Sequence, residues 1–190
     1  MNKNIMIVGV GGQGTLLASR IIGNTLSALG HDVKVSEVHG MSQRGGSVVT
    51  YVKYGQNVAA PTIEQGCADI ILAFELLEGY RWVPYLKKGG KMIASTQQID
   101  PMPVITGAAD YPGDIGEKIE KLGVDLKLAD ALTAAQEAGS ERAVNVVLLG
   151  ALAKILDIPK ENWEESIRQT VKANFAELNL KAFTIGYSLI

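Results

Sequence analysis

Apolar runs alternate with amphipathic stretches along the chain, and this alternation predicts an α/β protein. Short apolar runs bounded by glycine or polar residues predict buried strands, and apolar residues that recur every three or four positions predict helices. The predicted strands are Ile5–Val8, Asp32–Val38, Ser47–Tyr54, Asp69–Phe74, Lys91–Ser95 and Val124–Leu128. The predicted helices are Gln13–Leu29, Glu75–Leu86, Ile115–Leu122 and Leu132–Ala138, followed by a wholly helical part from Ser140 onward. Such an order favours helices packed on both faces of a largely parallel sheet, a three-layer fold.

The first predicted helix is amphipathic. Its apolar positions Leu16, Leu17, Ile21 and Leu29 fall mostly on one face, and Gly30 ends it. We therefore expect this face to pack on the sheet.

The C-terminal part carries the most regular stripe. Trp163, Ile167, Val171 and Phe175 recur every four residues after Pro159. This spacing predicts one helix whose apolar face docks on the core.

The middle of the chain has the least regular pattern. Pro84 disturbs the helix predicted there, and Gly89 with Gly90 predicts a turn before the next strand. The stretch 99–113 holds three of the six prolines. It predicts an irregular connection with room for a short strand.

Length and composition indicate one domain over residues 1–190 and exclude several classes of function. The chain has 190 residues, 47% of them apolar, and a formal net charge of -2. This charge gives no reason to expect nucleic acid or an anionic membrane as a partner. The longest apolar run is far shorter than the ~20 residues of a membrane span. With no secretory pattern at the N-terminus, we expect a cytoplasmic protein.

Cys67 is the only cysteine. An intrachain disulfide, an iron–sulfur cluster and a multi-thiolate zinc site are therefore excluded. The sequence also shows no spaced cluster of histidines or carboxylates, so we expect no metal site and no self-sufficient catalytic apparatus.

A glycine-rich loop follows the first strand and opens the first helix. Gly9, Gly11 and Gly14 match the G-x-G-x-x-G dinucleotide fingerprint, and Glu37 lies about where a ribose-binding acid would be. Unpaired amides at a helix N-terminus favour an anion. Gly12 and Gln13 complete the loop.

The link between Glu37 and Ser47 argues against an ordinary dinucleotide site. It is too short for a parallel crossover, which needs about a dozen residues or more, so the strand after it should pair antiparallel. The fold is then Rossmann-like with an antiparallel element. Three interpretations of the glycine loop stay open: a nucleotide site, glycines required only for packing, or a surface facing a partner or its cofactor.

The segment from His39 to Ser47 is the second candidate site. Its candidate residues are His39, Ser42, Gln43, Arg44, Gly45 and Gly46. The guanidinium of Arg44 suits a phosphate or carboxylate. Because ligands bind outside the carboxyl ends of strands, we expect this segment to neighbour the glycine loop.

Structural interpretations of the same residues also remain open. His39 can be a structural histidine, and Arg44 can pair with Glu37. Glu75 and Glu78 can pair with Arg81 on a helix surface.

Several motifs together resemble the gamma subunits of 2-oxoacid:ferredoxin oxidoreductases over nearly the whole chain. They are IVGVGGQG at 7–14, EVHGMSQRGGSV at 37–48, FELLE at 74–78 with Arg81 and Trp82, NVVLLG at 145–150 and ELNLKAF at 177–183. Within that family, HGMSQRGGS is typical of the indolepyruvate type.

The resemblance implies a subunit that is inactive alone. The complete enzyme would oxidatively decarboxylate an arylpyruvate with coenzyme A and reduce ferredoxin. Thiamine diphosphate and [4Fe–4S] clusters would reside in a large partner subunit, with no cofactor bound firmly by this chain. Arg44 and the amides of Gly11–Gly14 would contact a coenzyme A phosphate or an oxoacid carboxylate.

Other functions remain open at this point. They are a subunit for another 2-oxoacid (pyruvate, oxoisovalerate or oxoglutarate), a free NAD- or FAD-binding reductase, and a non-enzymatic ligand-binding or scaffold protein. The sequence also leaves open whether the isolated chain forms a homodimer.

Overall fold

A computed structural model describes residues 2–40 and 45–190 of the chain. Its strands are β1 (Lys3–Val10), β2 (Asp32–His39), β3 (Ser47–Gly55), β4 (Ala68–Ala73), β5 (Leu86–Ser95) and β6 (Asp125–Ala129). Its α-helices are α1 (Thr15–Ala28), α2 (Leu76–Trp82), α3 (Met102–Ile105), α4 (Ile115–Lys121), α5 (Ala131–Ala138), α6 (Val144–Leu156), α7 (Lys160–Thr170) and α8 (Ala176–Ser188). Short 3-10 turns cover Val83–Tyr85, Glu141–Ala143 and Ala173–Phe175.

The described strands form one six-stranded sheet in the order β2-β3-β1-β4-β5-β6. Strands β1, β4, β5 and β6 run parallel, whereas β3 is antiparallel to both of its neighbours, β1 and β2. This confirms a mostly parallel sheet with an antiparallel element. The short link after Glu37 leaves no room for a crossover helix, so the chain turns back and inserts β3 between β1 and β2.

Helices cover both faces of the sheet, as predicted for three layers. Ile5 and Ile7 of β1 point to the face covered by α1 and the helices from α5 to α8. Met6 and Val8 point to the opposite face, which α2 and α4 cover. Each of these four side chains is fully buried, and each contributes about 1.5–3 kcal/mol on burial.

The helical C-terminal part is built around α6. All residues from Val144 to Ala153 are buried, and α6 packs closely on α8 through two glycines. A Cβ on Gly150 would lie 2.2 Å from the carbonyl oxygen of Phe183, and one on Gly186 would lie 1.9 Å from that of Val147. The two backbones can therefore approach only because neither glycine has a side chain.

The predicted stripe in the C-terminal part was wrong at its end. Trp163 and Ile167 are fully buried, but α7 ends at Thr170. Val171 is extended (φ -89°, ψ 157°), which ends the helical register, and Phe175 is 49% exposed.

The face predicted for the first helix was wrong in two places. Leu16 is 46% exposed and Leu29 is 40% exposed. Ala18, Ile22 and Leu26 join Ile21 on the buried face instead. Leu16 is two positions before Ala18, about 200° away around the helix, and Leu29 follows the last helical residue, Ala28.

The middle of the chain also differs from the prediction. α2 ends at Trp82, where a 3-10 turn containing Pro84 replaces the last predicted turns. β5 begins at Leu86, and positive φ at Gly89 accompanies a register shift against β4 rather than a separate turn. The stretch 99–113 contains the short helix α3 and no strand.

No helix in the described part of the chain has the length and apolar character that a membrane crossing requires.

Candidate functional site

The glycine loop and the start of β3 are neighbours at the carboxyl edge of the sheet. The amide of Gly11 donates to the carbonyl of Gly46 at 2.8 Å, and the amide of Gly45 donates to the carbonyl of Gly11 at 3.2 Å. These two bonds continue the β1–β3 ladder past its last pair, Val10 and Ser47. The glycine loop therefore lies beside the described end of the second candidate loop, and we call residues 9–14 and the segment 39–47 the paired loops.

A cavity of about 280 Å³ opens between the paired loops. Its lining is Gly11, Gly12, Gly14, Thr15, Leu16, Glu37, His39 and Val48. Five of the predicted site residues thus line one cavity.

The glycines of the loop fall into two kinds. A Cβ on Gly9 would lie 2.9 Å from the Cβ of Phe74, and one on Gly14 would lie 2.5 Å from Nδ2 of Asn145. Gly12 has φ +108°, yet a Cβ there would meet no atom of the described residues within 4 Å. Gly9 and Gly14 therefore serve close packing, whereas Gly12 faces open space.

Gln13 points into the protein and not into the cavity. Its Oε1 accepts from the amide of Val10 at 2.8 Å, and its Nε2 donates to the carbonyl of Phe74 at 2.9 Å and to Oε1 of Gln97 at 3.2 Å. These bonds fix the loop to the end of β4. A structural role accounts for all of them.

Glu37 lies at the end of β2 and reaches the first turn of α1. Its Oε2 accepts from the hydroxyls of Thr50 at 3.3 Å and Thr15 at 3.5 Å. In an ordinary dinucleotide fold β2 lies next to β1. Here β3 separates the two strands, so the backbone of Glu37 lies roughly 10 Å from β1, about two strand spacings. The βαβαβ half that such a site requires is therefore interrupted, as expected from the short link.

His39 lies at the exposed rim of the cavity. Its Nδ1 is 3.1 Å from the carbonyl oxygen of Gly40. Ser42, Gln43 and Arg44, and with them the pairing of Arg44 with Glu37, lie outside the described residues.

Two buried carboxylates support the paired loops from the α2 side. Glu78 accepts from the hydroxyl of Ser47 at 2.5 Å and from Nη1 of Arg81 at 2.7 Å. The pairing of Glu78 with Arg81 was one of the interpretations left open, but Glu78 is buried and not on a helix surface. The bond to Ser47 was not predicted. Together the ion pair and this hydrogen bond connect the start of β3 to α2.

Glu75 is 1% exposed and caps α2. Its carboxylate accepts from the amides of Glu78 at 2.7 Å and Ile99 at 3.2 Å, and from the hydroxyl of Tyr111 at 2.5 Å. Burial and this hydrogen bond raise the pKa of Tyr111 above its usual range, so the phenol remains a donor. A cavity of about 240 Å³ beside Gly45 and Gly46 opens against this cluster.

Sequence reasoning missed a second group of residues beside the glycine loop. A cavity of about 490 Å³ lies on the other side of Gly12 and Gly14, and Gln97, Glu141, Arg142 and Asn145 also line it. Asn145 donates to the carbonyl of Gly14 at 3.3 Å, which joins α6 to the loop. The available signal was the cation Arg142 two residues before a largely apolar helix.

Among the described residues, no three histidine, cysteine, aspartate or glutamate side chains converge in a way that could hold a metal ion.

Comparison with known proteins gives similarities that run along nearly the whole chain. A family profile described as "Pyruvate ferredoxin/flavodoxin oxidoreductase" matches residues 4–189. The "Indolepyruvate oxidoreductase subunit IorB" of Thermococcus kodakarensis is 43% identical over 188 residues, which cover 96% of this chain and 93% of that protein. The protein of the same name from Archaeoglobus fulgidus is 41% identical over 192 residues, covering 99% and 95%. The solved gamma subunit of a keto/oxoacid ferredoxin oxidoreductase from Geobacter sulfurreducens superposes with a TM-score of 0.72 at 25% identity and covers 98% of this chain and 96% of that one.

Proposed function

We propose that this chain, which belongs to the pyruvate ferredoxin/flavodoxin oxidoreductase family, is the small subunit of an indolepyruvate:ferredoxin oxidoreductase. The relatives that are 41–43% identical are named as subunits of an indolepyruvate oxidoreductase. On this proposal residues 1–190 act as one gamma-type unit, in the cytoplasm, within a complex that oxidatively decarboxylates an arylpyruvate with coenzyme A and reduces ferredoxin.

The observation that carries the proposal is the geometry of the paired loops. They lie side by side at the carboxyl edge of the sheet, held by two backbone hydrogen bonds, and exposed apolar side chains lie at or next to the cavities beside them. Leu16, Val38 and Met102 there are 46%, 50% and 64% exposed. A contiguous exposed apolar patch marks a surface that a partner covers. We assign these side chains to such a surface, with a large subunit as the partner.

The redox cofactors of the complex belong to that partner. A [4Fe–4S] cluster requires four thiolate ligands, and this chain has one cysteine, Cys67, which is exposed. Its residues do not fit a cluster, and no electron-transfer step runs through them. We assign thiamine diphosphate to the large subunit as well.

The part we assign to this chain is to complete the binding site for the anionic substrate. The amide of Gly11 already donates to the carbonyl of Gly46, so the amide of Gly12 and the guanidinium of Arg44 would contact a coenzyme A phosphate or the oxoacid carboxylate. His39, Ser42 and Gln43 would lie beside them. Glu37 lines the same cavity. Its negative charge disfavours an anion there unless a cation such as Arg44 compensates it.

Reconstitution tests the proposed function. The isolated chain should show no arylpyruvate-dependent, coenzyme A-dependent reduction of a viologen, and mixing with the separately purified large subunit should restore it. Pyruvate, oxoisovalerate and 2-oxoglutarate offered to the same mixture distinguish the substrate class. Activity of the large subunit that does not change when this chain is added would refute the assignment, and a preference for another oxoacid would refute its substrate.

A further inference from the structure

We propose that a second binding site, separate from the paired loops, accepts a small amphipathic carboxylate: an apolar or aromatic group that carries one negative charge. The site is a cavity of about 390 Å³ between α1, the first turn of α6 and the segment that joins α7 to α8. This volume falls in the range of small-molecule sites. The proposal does not depend on the function proposed above.

The floor of the cavity is apolar. Leu17 of α1, Ala143, Val171, Phe175 and Leu178 supply it. Val171 and Phe175 both lie beyond the end of α7, and Val171 is partly buried against the core. Phe175 remains 49% exposed and lines the cavity as an aromatic wall.

The rim of the cavity is cationic. Arg142 and Lys172 line it, and no aspartate or glutamate does. Throughout residues 2–40 and 45–190 the ion pairs involve other cations, and neither Arg142 nor Lys172 has a carboxylate partner. Two unneutralised cations beside an apolar floor favour a ligand that is negatively charged at one end.

Two helix N-termini add to this positive potential. Ala143 and Asn145 belong to the start of α6, and Phe175 and Leu178 belong to the start of α8. The residues that precede the two helices, Ala143 and Phe175, make no side-chain capping hydrogen bond. In the first turn of α6, Oδ1 of Asn145 accepts from the amide of Val146. Helix N-termini carry a partial positive charge and stabilise anions.

The backbone around the cavity is fixed without a ligand. The amide of Phe175 donates to the carbonyl of Lys172 at 2.8 Å, and Nδ2 of Asn179 donates to the carbonyl of Phe175 at 2.8 Å. The amide of Arg142 donates to the hydroxyl of Ser140 at 3.3 Å. A preformed cavity loses little entropy when it binds a ligand.

The test is a titration of the isotopically labelled full-length chain with 1-naphthylacetate, followed by chemical shifts of the backbone amides. We expect saturable binding with a dissociation constant on the order of 1 mM or tighter. The shifts should centre on residues 140–145 and 170–179. Acetate lacks the ring, and 1-naphthylacetamide lacks the charge. Each should bind at least about tenfold more weakly than 1-naphthylacetate.

Variants of exposed side chains locate the site without endangering the fold. Arg142→Gln and Lys172→Gln should each weaken binding by about three- to tenfold, and Phe175→Ala should weaken it by a similar factor. Lys121→Gln and Leu122→Ala, which alter an exposed cation and an exposed leucine on α4, are the matched controls and should leave binding unchanged.

Three results would overturn the proposal. They are no saturable binding up to about 20 mM, equal binding of the uncharged amide, and shifts confined to the paired loops.

The titration is then repeated on the chain assembled with its large subunit, where binding should persist. Loss of binding on assembly would show that the groove is a docking surface for the partner and not a ligand site.

Discussion

The glycine loop is one short stretch of sequence, but its two ends and its middle have different surroundings. Gly9 and Gly14 are closed in by Phe74 and Asn145, so neither position has room for a side chain. Gly12 lies between them, and a Cβ built on it meets none of the described residues within 4 Å. The ends therefore hold the fold together, and the middle is available to a partner or a ligand.

This difference separates an effect on stability from an effect on binding, which a match to the fingerprint motif does not distinguish. A change at a closed position should act on stability first and on activity only through the fold. A change at an open position should leave the folded chain intact and act on substrate or partner binding. The predictions below test that separation, from the largest expected effect to the smallest.

Gly14→Ala should lower the free energy of unfolding by about 2–4 kcal/mol, because the new Cβ meets Nδ2 of Asn145 and φ is +84°. Gly12→Ala is the matched control. It has the same left-handed strain, about 1–2 kcal/mol, without the contact. Denaturant unfolding of both variants measures the difference, and equal losses of stability would contradict the assignment of Gly14 to packing.

Gln13→Ala should lower the free energy of unfolding by about 1–3 kcal/mol, since the amide of Val10 and the carbonyl of Phe74 lose their partner. This residue lies within the motif and also lines the cavity beside Arg142, but its side-chain oxygen and nitrogen are both engaged within the protein, so we expect the effect on stability to dominate. Gln43→Ala, in the other paired loop, provides a comparison. A Gln13→Ala variant with unchanged stability but a raised KM for coenzyme A would show that Gln13 acts on binding and not on stability.

Arg44→Ala should raise the apparent KM for coenzyme A or the oxoacid in the assembled complex about tenfold, with unfolding of the isolated chain unchanged. The loss of one charge-assisted contact accounts for this factor. Arg20→Ala, an exposed arginine on α1, is the control. An unaltered KM together with unaltered assembly would remove Arg44 from the site.

Much of the fold follows from local sequence. The apolar runs located all six strands, and the number of residues between Glu37 and Ser47 was enough to predict the antiparallel strand. Link length is a local property, so it can be read without knowing the rest of the structure.

The contacts that separate closed from open glycines are not local. Gly14 meets Asn145 across 131 positions, and Gln13 meets Phe74 across 61. Nothing in the spacing of G-x-G-x-x-G indicates either partner. For the same reason Arg142 was missed, since only the docking of α6 brings it to the far side of the loop.

The spacing of the apolar residues alone was also insufficient to predict how the C-terminal stripe packs. Four apolar residues at intervals of four predict one face only if the helix continues through all of them. Val171 is extended, and this one backbone conformation turns Phe175 from a core residue into a cavity wall.

The central claim is that the paired loops face the partner subunit, and hydrogen–deuterium exchange tests it most directly. Backbone amides of residues 9–14 and 39–47 should exchange more slowly in the assembled complex than in the isolated chain, because a covering partner excludes water and restrains local opening. Residues 115–129, in α4 and β6 at the other end of the sheet, should exchange equally in both. Unchanged exchange at the paired loops, with protection elsewhere, would contradict the account.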